Sequence, residues 1–97
     1  MSPSPSNIAL PARVVRGDLA GIRRRLLKGL DAKEAPRLDA ANVLEADGAG
    51  VQLLLSFIKT AAERGNPVTV TARSAALAGA IAGHRAEEMW NQWTQRP

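Results

Sequence analysis

The sequence contains no cysteine, no tyrosine and only one histidine, His84. The absence of cysteine excludes a disulfide scaffold, a thiol nucleophile and a cysteine-ligated zinc site. A single histidine also excludes a multi-histidine metal site. Paired carboxylates are scarce, since only Glu87 and Glu88 are adjacent and they point in different directions on a helix. We therefore expect a chain that is not an enzyme, with no catalytic residues, no metal site and no cofactor.

Long apolar runs are missing as well. No stretch approaches the roughly 20 apolar residues of a membrane helix, and the N-terminal MSPSPSN lacks the regions of a secretory signal. We expect a cytoplasmic protein without a membrane span. The 97 residues are 45% hydrophobic, which suits one domain with a modest core. The expected division is a disordered lead at 1–7, a domain at 8–83 and a helical tail at 84–97.

Strand and helix patterns alternate along the chain. Segments 8–15, 35–46 and 67–72 are predicted to contain strands, and Pro11 indicates an edge or a kink in the first. A helix is predicted after each of them, because apolar residues recur there at helical spacing. This order predicts an α/β fold in which a sheet with parallel pairs packs against helices.

Each predicted helix has a recognisable face or cap. Asp18 is the expected N-cap of the first helix, whose predicted buried face is Leu19, Ile22, Leu26, Leu27 and Leu30. The predicted buried stripe of the second helix is Val51, Leu54, Leu55, Ile58, Ala61 and Ala62. Gly65 is placed to end that helix, and Ser74 is placed to cap the third.

The loop Asp47-Gly48-Ala49-Gly50 opens directly into the second helix. Glycine-rich turns at this position often bind phosphate. This loop lacks the spacing of the known phosphate motifs, and Asp47 would repel a phosphate group. Alternatively, Asp47 caps the helix while the glycines let the backbone approach a neighbour. These residues alone leave open whether the loop does more than that.

Residues 37–82 resemble the core of a STAS domain, the fold of anti-sigma-factor antagonists and of sulfate-transporter tails. The matching elements are Leu38-Asp39, the loop 47–50, the helix 51–63, Gly65, the strand 68–71 and the helix led by Ser74. The stretch DGAGVQLLLSF is most similar to small stand-alone STAS proteins of bacterial chemotaxis and signalling. The resemblance implies a STAS-like sandwich with a small mixed, largely parallel sheet packed against helices.

The chain departs from the STAS pattern at the family's phosphorylation position. Relatives often carry serine or threonine just before the glycine, where a partner kinase phosphorylates it, whereas this chain has Ala49. Ser56 is expected to be an ordinary surface residue, so no phosphosite is predicted. The chain also shows one strand before its first helix where many relatives have two. Its short tail replaces the usual closing strand and long helix.

The resemblance implies a non-catalytic module that binds a signalling protein, such as a kinase-like regulator or a receptor or scaffold component. An accessory subunit of a lipid or transport complex is an alternative. Leu53 and Phe57 would form an apolar anchor on a surface, or they extend the core beneath a neighbouring helix. The candidate partner-binding residues are Asp47, Gly48, Ala49, Gly50, Gln52, Leu53 and Phe57.

Two further features leave alternatives open. Trp90 and Trp93 form a stripe with Ala86 and Met89 that packs on its own domain or mediates a homodimer. The net charge is +4, and eight of the thirteen basic residues lie within 13–37. The basic run Arg23–Lys28 is a solvated helix face or a nucleic-acid surface. Because no stacking aromatics accompany it, we expect no stable nucleic-acid complex.

Overall fold

The computed structural model describes residues 6–95 and has an α/β architecture. Within these residues the elements are, in chain order, β1 (Asn7–Ala9), β2 (Arg13–Val14), α1 (Leu19–Asp31), β3 (Arg37–Ala40), β4 (Glu45–Ala46), α2 (Gly48–Glu63), β5 (Val68–Arg73), α3 (Ala75–Gly83), α4 (Glu87–Trp93) and β6 (Thr94–Gln95). The predicted alternation of strands and helices, with a parallel sheet, is confirmed.

The main sheet contains four strands in the order β1-β3-β5-β6. Each of its pairings is parallel, with Ile8 beside Leu38 and Leu38 beside Val70. A register shift after Leu38 lets β5 carry one extra residue against β3. The short strands β2 and β4 form a second parallel pair in which Val14 lies beside Ala46.

The helices cover one face of the main sheet. Its strands follow one another across the sheet in chain order, so right-handed crossovers place successive helices on the same side. Burial agrees with this arrangement, because residues alternate between exposed and buried along β1 and β3. The buried set in the sheet is Ile8, Leu38, Ala40 and Val68. The opposite face is polar and open, which is unusual for a parallel sheet.

Helix α2 is the centre of the core. The predicted buried stripe is confirmed at Val51, Leu54, Leu55, Ile58 and Ala61, whereas Ala62 is half-buried. Gly65 ends the helix with φ of +82°, a conformation that glycine adopts without strain. The Ser74 hydroxyl accepts a hydrogen bond from the Leu77 amide at 3.1 Å, which confirms the predicted cap of α3.

The first third of the chain differs from the predicted pattern. The single strand expected at 8–15 is split at Pro11 into β1 and β2, which belong to different sheets. Asp18 occupies the N-cap position of α1, but its carboxylate lies 3.4 Å from Arg13 and caps nothing. Leu27 was predicted to be buried and is instead 49% exposed, because α1 turns only Ile22 and Leu26 fully into the core.

The tail belongs to the same core as the rest of the domain. Trp90 is 3% exposed and Ala86 is also buried, so these two residues of the stripe pack on their own domain, whereas Trp93 is half-buried and Met89 is 43% exposed. Met89 and Trp93 remain the accessible members of the stripe, and a homodimer through the tryptophans stays a prediction. Lys59 lies over the ring of Trp93 at 5.5 Å, and Arg73 pairs with Glu87 at 3.0 Å. The tail was predicted to be helical throughout, but β6 adds a closing strand beside β5.

The fold includes part of the segment that was predicted to be a disordered lead. Ser6 is buried and Asn7 begins β1, so these two residues of the predicted disordered lead 1–7 are part of the fold. Residues 1–5 and 96–97 lie outside the described residues. Within 6–95, no helix combines the length and the apolar character needed to cross a membrane.

Candidate functional site

The N-terminus of α2 is held in place by one carboxylate, that of Asp47. Its Oδ1 accepts a hydrogen bond from the Gly50 amide at 2.8 Å, which confirms the predicted helix cap. Its Oδ2 accepts a second hydrogen bond, from the Arg16 amide at 2.9 Å. These two N–H groups, of Arg16 and then of Gly50, lower the pKa of the Asp47 carboxyl below its ordinary value. One side chain therefore joins the β2–α1 loop to the start of α2.

The two glycines of the loop both lie close to neighbouring residues, but only Gly50 faces fixed backbone. A Cβ on Gly50 would lie 2.0 Å from the carbonyl oxygen of Val14, so only glycine fits between α2 and β2. A Cβ on Gly48 would lie 3.0 Å from Cε1 of His84, whose ring covers the first residue of the helix. Close approach to a neighbour, one of the roles predicted for these glycines, is therefore confirmed at Gly50.

We call the α2 corner the set formed by Asp47, Gly48 and Ala49, by His84, whose ring covers Gly48, and by Leu44, three residues before Asp47 in the chain. Ala49 is half-buried at the second position of α2, where the STAS pattern places its hydroxyl. Leu44 is 77% exposed and is the most exposed large apolar residue among those described. The α2 corner thus combines an apolar side chain, a helix N-terminus and an imidazole.

Leu44 was missed as a candidate from the sequence. It follows Val43, which is fully buried, and a chain that turns between two strands can direct only one of two adjacent apolar residues inward. The adjacent apolar residues Val43 and Leu44 were the sequence feature that could have identified Leu44 as exposed. Arg16 was missed for a different reason, since its contribution is a backbone N–H and carries no residue-type signature.

The candidate residues on α2 separate into exposed and buried ones. Gln52 is exposed and Leu53 is half-buried, so both can be reached by a partner. Phe57 is 4% exposed and packs in the core, so its predicted role as a surface anchor is wrong. Helix α1 covers it, which is the alternative that the sequence left open.

Helix α1 carries four of the eight basic residues within 6–95 that form no ion pair. Arg23, Arg24, Arg25 and Lys28 are exposed, as predicted for its solvated face. Arg25 donates a hydrogen bond to the carbonyl oxygen of Ala9. Over residues 6–95 the ion pairs involve other cations, and none joins a carboxylate to Arg23, Arg24 or Lys28.

The described residues offer little for catalysis at this site. Within 6–95, no three His, Asp or Glu side chains gather closely enough to hold a metal ion. The Asp47 carboxylate is occupied by two backbone N–H groups, and a carboxyl with a lowered pKa is a poor general base.

Comparisons of the chain with family models, with curated proteins and with solved structures found no match. The resemblance to STAS domains therefore rests on the order and spacing of the elements within residues 37–82.

Proposed function

We propose that this chain is a non-catalytic docking module of the STAS type that binds a signalling protein through the α2 corner. Its state is fixed, because no serine or threonine occurs between Asp39 and Ser56. The elements of the STAS pattern occur here in the expected order, from β3 through the Asp47 cap and Gly65 to the Ser74 cap. Their order and spacing support the proposal.

The observation that carries the proposal is the construction of the α2 corner around Ala49. Asp47 fixes the loop with two hydrogen bonds, and Gly50 packs directly on Val14. Leu44, three residues before Asp47 in the chain, remains 77% exposed, which packing within the domain does not explain. A neutral Ala49 corresponds to the unphosphorylated, binding-competent state of a STAS switch.

The test compares two variants that place the same charge at equivalent helix positions. Ala49→Glu adds a carboxylate at the second residue of α2, and Ala76→Glu adds one at the second residue of α3. Ala76 is exposed and Ala49 is half-buried, and a carboxylate in the first turn of a helix is favourable, so we expect both variants to fold, which circular dichroism checks before binding is compared. Any difference in binding between the two variants then reports on the α2 corner.

The measurement is affinity capture from a lysate of the source organism, followed by the affinity of the purified partner. We expect wild type, Ala49→Ser and Ala76→Glu to retain one protein, and Ala49→Glu to bind it about tenfold more weakly or worse. Equal binding by Ala49→Glu and wild type would refute the role of the α2 corner. Recovery of nucleic acid that is released by salt would instead favour the basic helix α1 as the functional surface.

A further inference from the structure

A shallow groove runs between α1 and α2 and begins beside Ala49. It consists of two depressions, of about 440 and 330 Å³, that share Arg23 and Leu53. Leu53 lies one helical turn after Ala49, so the groove continues the surface of the α2 corner. We call this surface the α1–α2 groove; its other lining residues used below are Arg24, Leu27 and Ser56.

The floor of the α1–α2 groove is apolar and only partly covered. Phe57 and Leu26 form its buried base, at 4% and 2% exposure. Leu53 is half-buried above them, and Leu27 is 49% exposed at the rim. A partner that inserts apolar side chains here would remove the accessible parts of Leu27 and Leu53 from water, which is favourable.

The rim of the groove is positively charged and has almost no compensating acid. Arg23 and Arg24 have no carboxylate partner among residues 6–95. The only acid of α1 is Asp31, which pairs with Arg64, and the only acid of α2 is Glu63, which pairs with Lys59. The exposed residues of the first two turns of α2 are neutral. Charge complementarity therefore requires an acidic occupant.

We infer that the α1–α2 groove binds an acidic amphipathic helix of the partner protein. This inference rests on the proposed docking function and specifies the chemistry of the partner. Apolar side chains of that helix at i, i+3 and i+4 contact Leu53 and Leu27, and its flanking carboxylates pair with Arg23 and Arg24. The groove between two parallel-lying helices matches the shape of a third helix better than that of an extended chain.

Other anionic partners fit the same surface less well. A duplex contacts cations through its phosphates and gains nothing from an apolar floor. A single strand needs exposed aromatic side chains for stacking, whereas Phe57 is buried and both tryptophans lie in α4. A bilayer surface requires protruding apolar side chains, and Leu53 lies recessed in a groove.

The experiment is a selection from a display library of short helical peptides with random surface residues, using the full chain as target. We expect the enriched peptides to be rich in Asp and Glu around an apolar stripe. Their affinity should fall about tenfold or more in the double variant Arg23→Glu/Arg24→Glu. The matched control is Lys33→Glu/Arg85→Glu, which makes the same charge change at exposed positions away from the groove and should bind as wild type does.

The outcomes separate this inference from the proposed function. Enriched peptides without acidic bias, or peptides that bind Arg23→Glu/Arg24→Glu as tightly as wild type, would overturn the acidic-helix inference. Binding of duplex DNA or of phosphatidylserine vesicles that exceeds peptide binding and is lost in the same variant would also overturn it. If the lysate partner depends on Ala49 but not on Arg23 and Arg24, the docking function stands and only the assigned occupant is wrong.

Discussion

The packing of Gly50 against β2 predicts how glycine-to-alanine substitutions in the helices change the stability of the domain. At an open helix position alanine is more favourable than glycine by roughly 0.5–1 kcal/mol. Gly79 in α3 is such a position, since a Cβ there would meet nothing within 4 Å. At Gly50 the same Cβ would lie 2.0 Å from the carbonyl oxygen of Val14. We therefore expect the two substitutions to change stability in opposite directions.

The magnitude at Gly50 depends on whether β2 can move away. Val14 is buried and lies beside Ala46 in the β2–β4 pair, and its carbonyl oxygen accepts a hydrogen bond from the Asp47 amide at 3.3 Å. Backbone held in this way cannot shift by an ångström without loss of those contacts. Overpacking typically costs about 1–3 kcal/mol, which exceeds the gain in helix propensity. Gly50→Ala should therefore lose about 1–3 kcal/mol or more.

The assay is urea unfolding followed by tryptophan fluorescence and far-ultraviolet circular dichroism. With a slope of about 1–3 kcal/mol per molar urea, the Gly50→Ala midpoint should fall by roughly 1 M while that of Gly79→Ala rises. Gly48→Ala should lie between them, because its nearest neighbour is the end of the His84 side chain, which can rotate away. A Gly50→Ala midpoint equal to that of wild type would refute this account of the loop.

Two further predictions concern Asp47 and the end of α3. Because the pKa of Asp47 is lowered by N–H groups of Arg16 and Gly50, its stabilising effect is complete above the ordinary carboxyl pKa and is lost as pH falls through the lowered value. Asp47→Asn should be less stable than wild type at neutral pH and equally stable in strong acid, as measured by urea unfolding across pH. A difference in unfolding free energy between the two proteins that does not change with pH would contradict this. Arg85 has φ of 55°, which costs a non-glycine residue roughly 1–2 kcal/mol. Arg85→Gly should raise the thermal midpoint while Arg85→Ala does not, and equal effects of the two would show that the backbone strain is absent.

The elements that were predicted correctly have strong local signals. Helix α2 has a long apolar stripe between an acidic cap and a glycine stop, and each of these signals depends on neighbours within a few residues. The same holds for β5 and for the Ser74 cap of α3. Since parallel order follows from strand-helix alternation, the α/β architecture could be predicted as well.

The wrong assignments concern residues whose environment is decided by distant parts of the chain. Leu27 and Phe57 lie at the edges of apolar stripes, and the angle between α1 and α2 determines which edge is covered. Asp18 has an N-cap position but a nearby Arg13 attracts its carboxylate. Strand β6 has only two residues. It forms because α4, which directly precedes it, positions it at the edge of β5 that is not paired with β3.

The pair of hydrogen bonds on Asp47 has a consequence for the speed of binding. Because one carboxylate holds both the β2–α1 loop and the first turn of α2, the α2 corner and the start of the groove keep their shape before a partner arrives. A preformed surface loses little conformational entropy on association, and its rate is not limited by a rearrangement. For the docking function proposed above, we expect association with the partner to be a single concentration-dependent phase, and we expect Asp47→Asn to slow it by adding a loop-ordering step before contact.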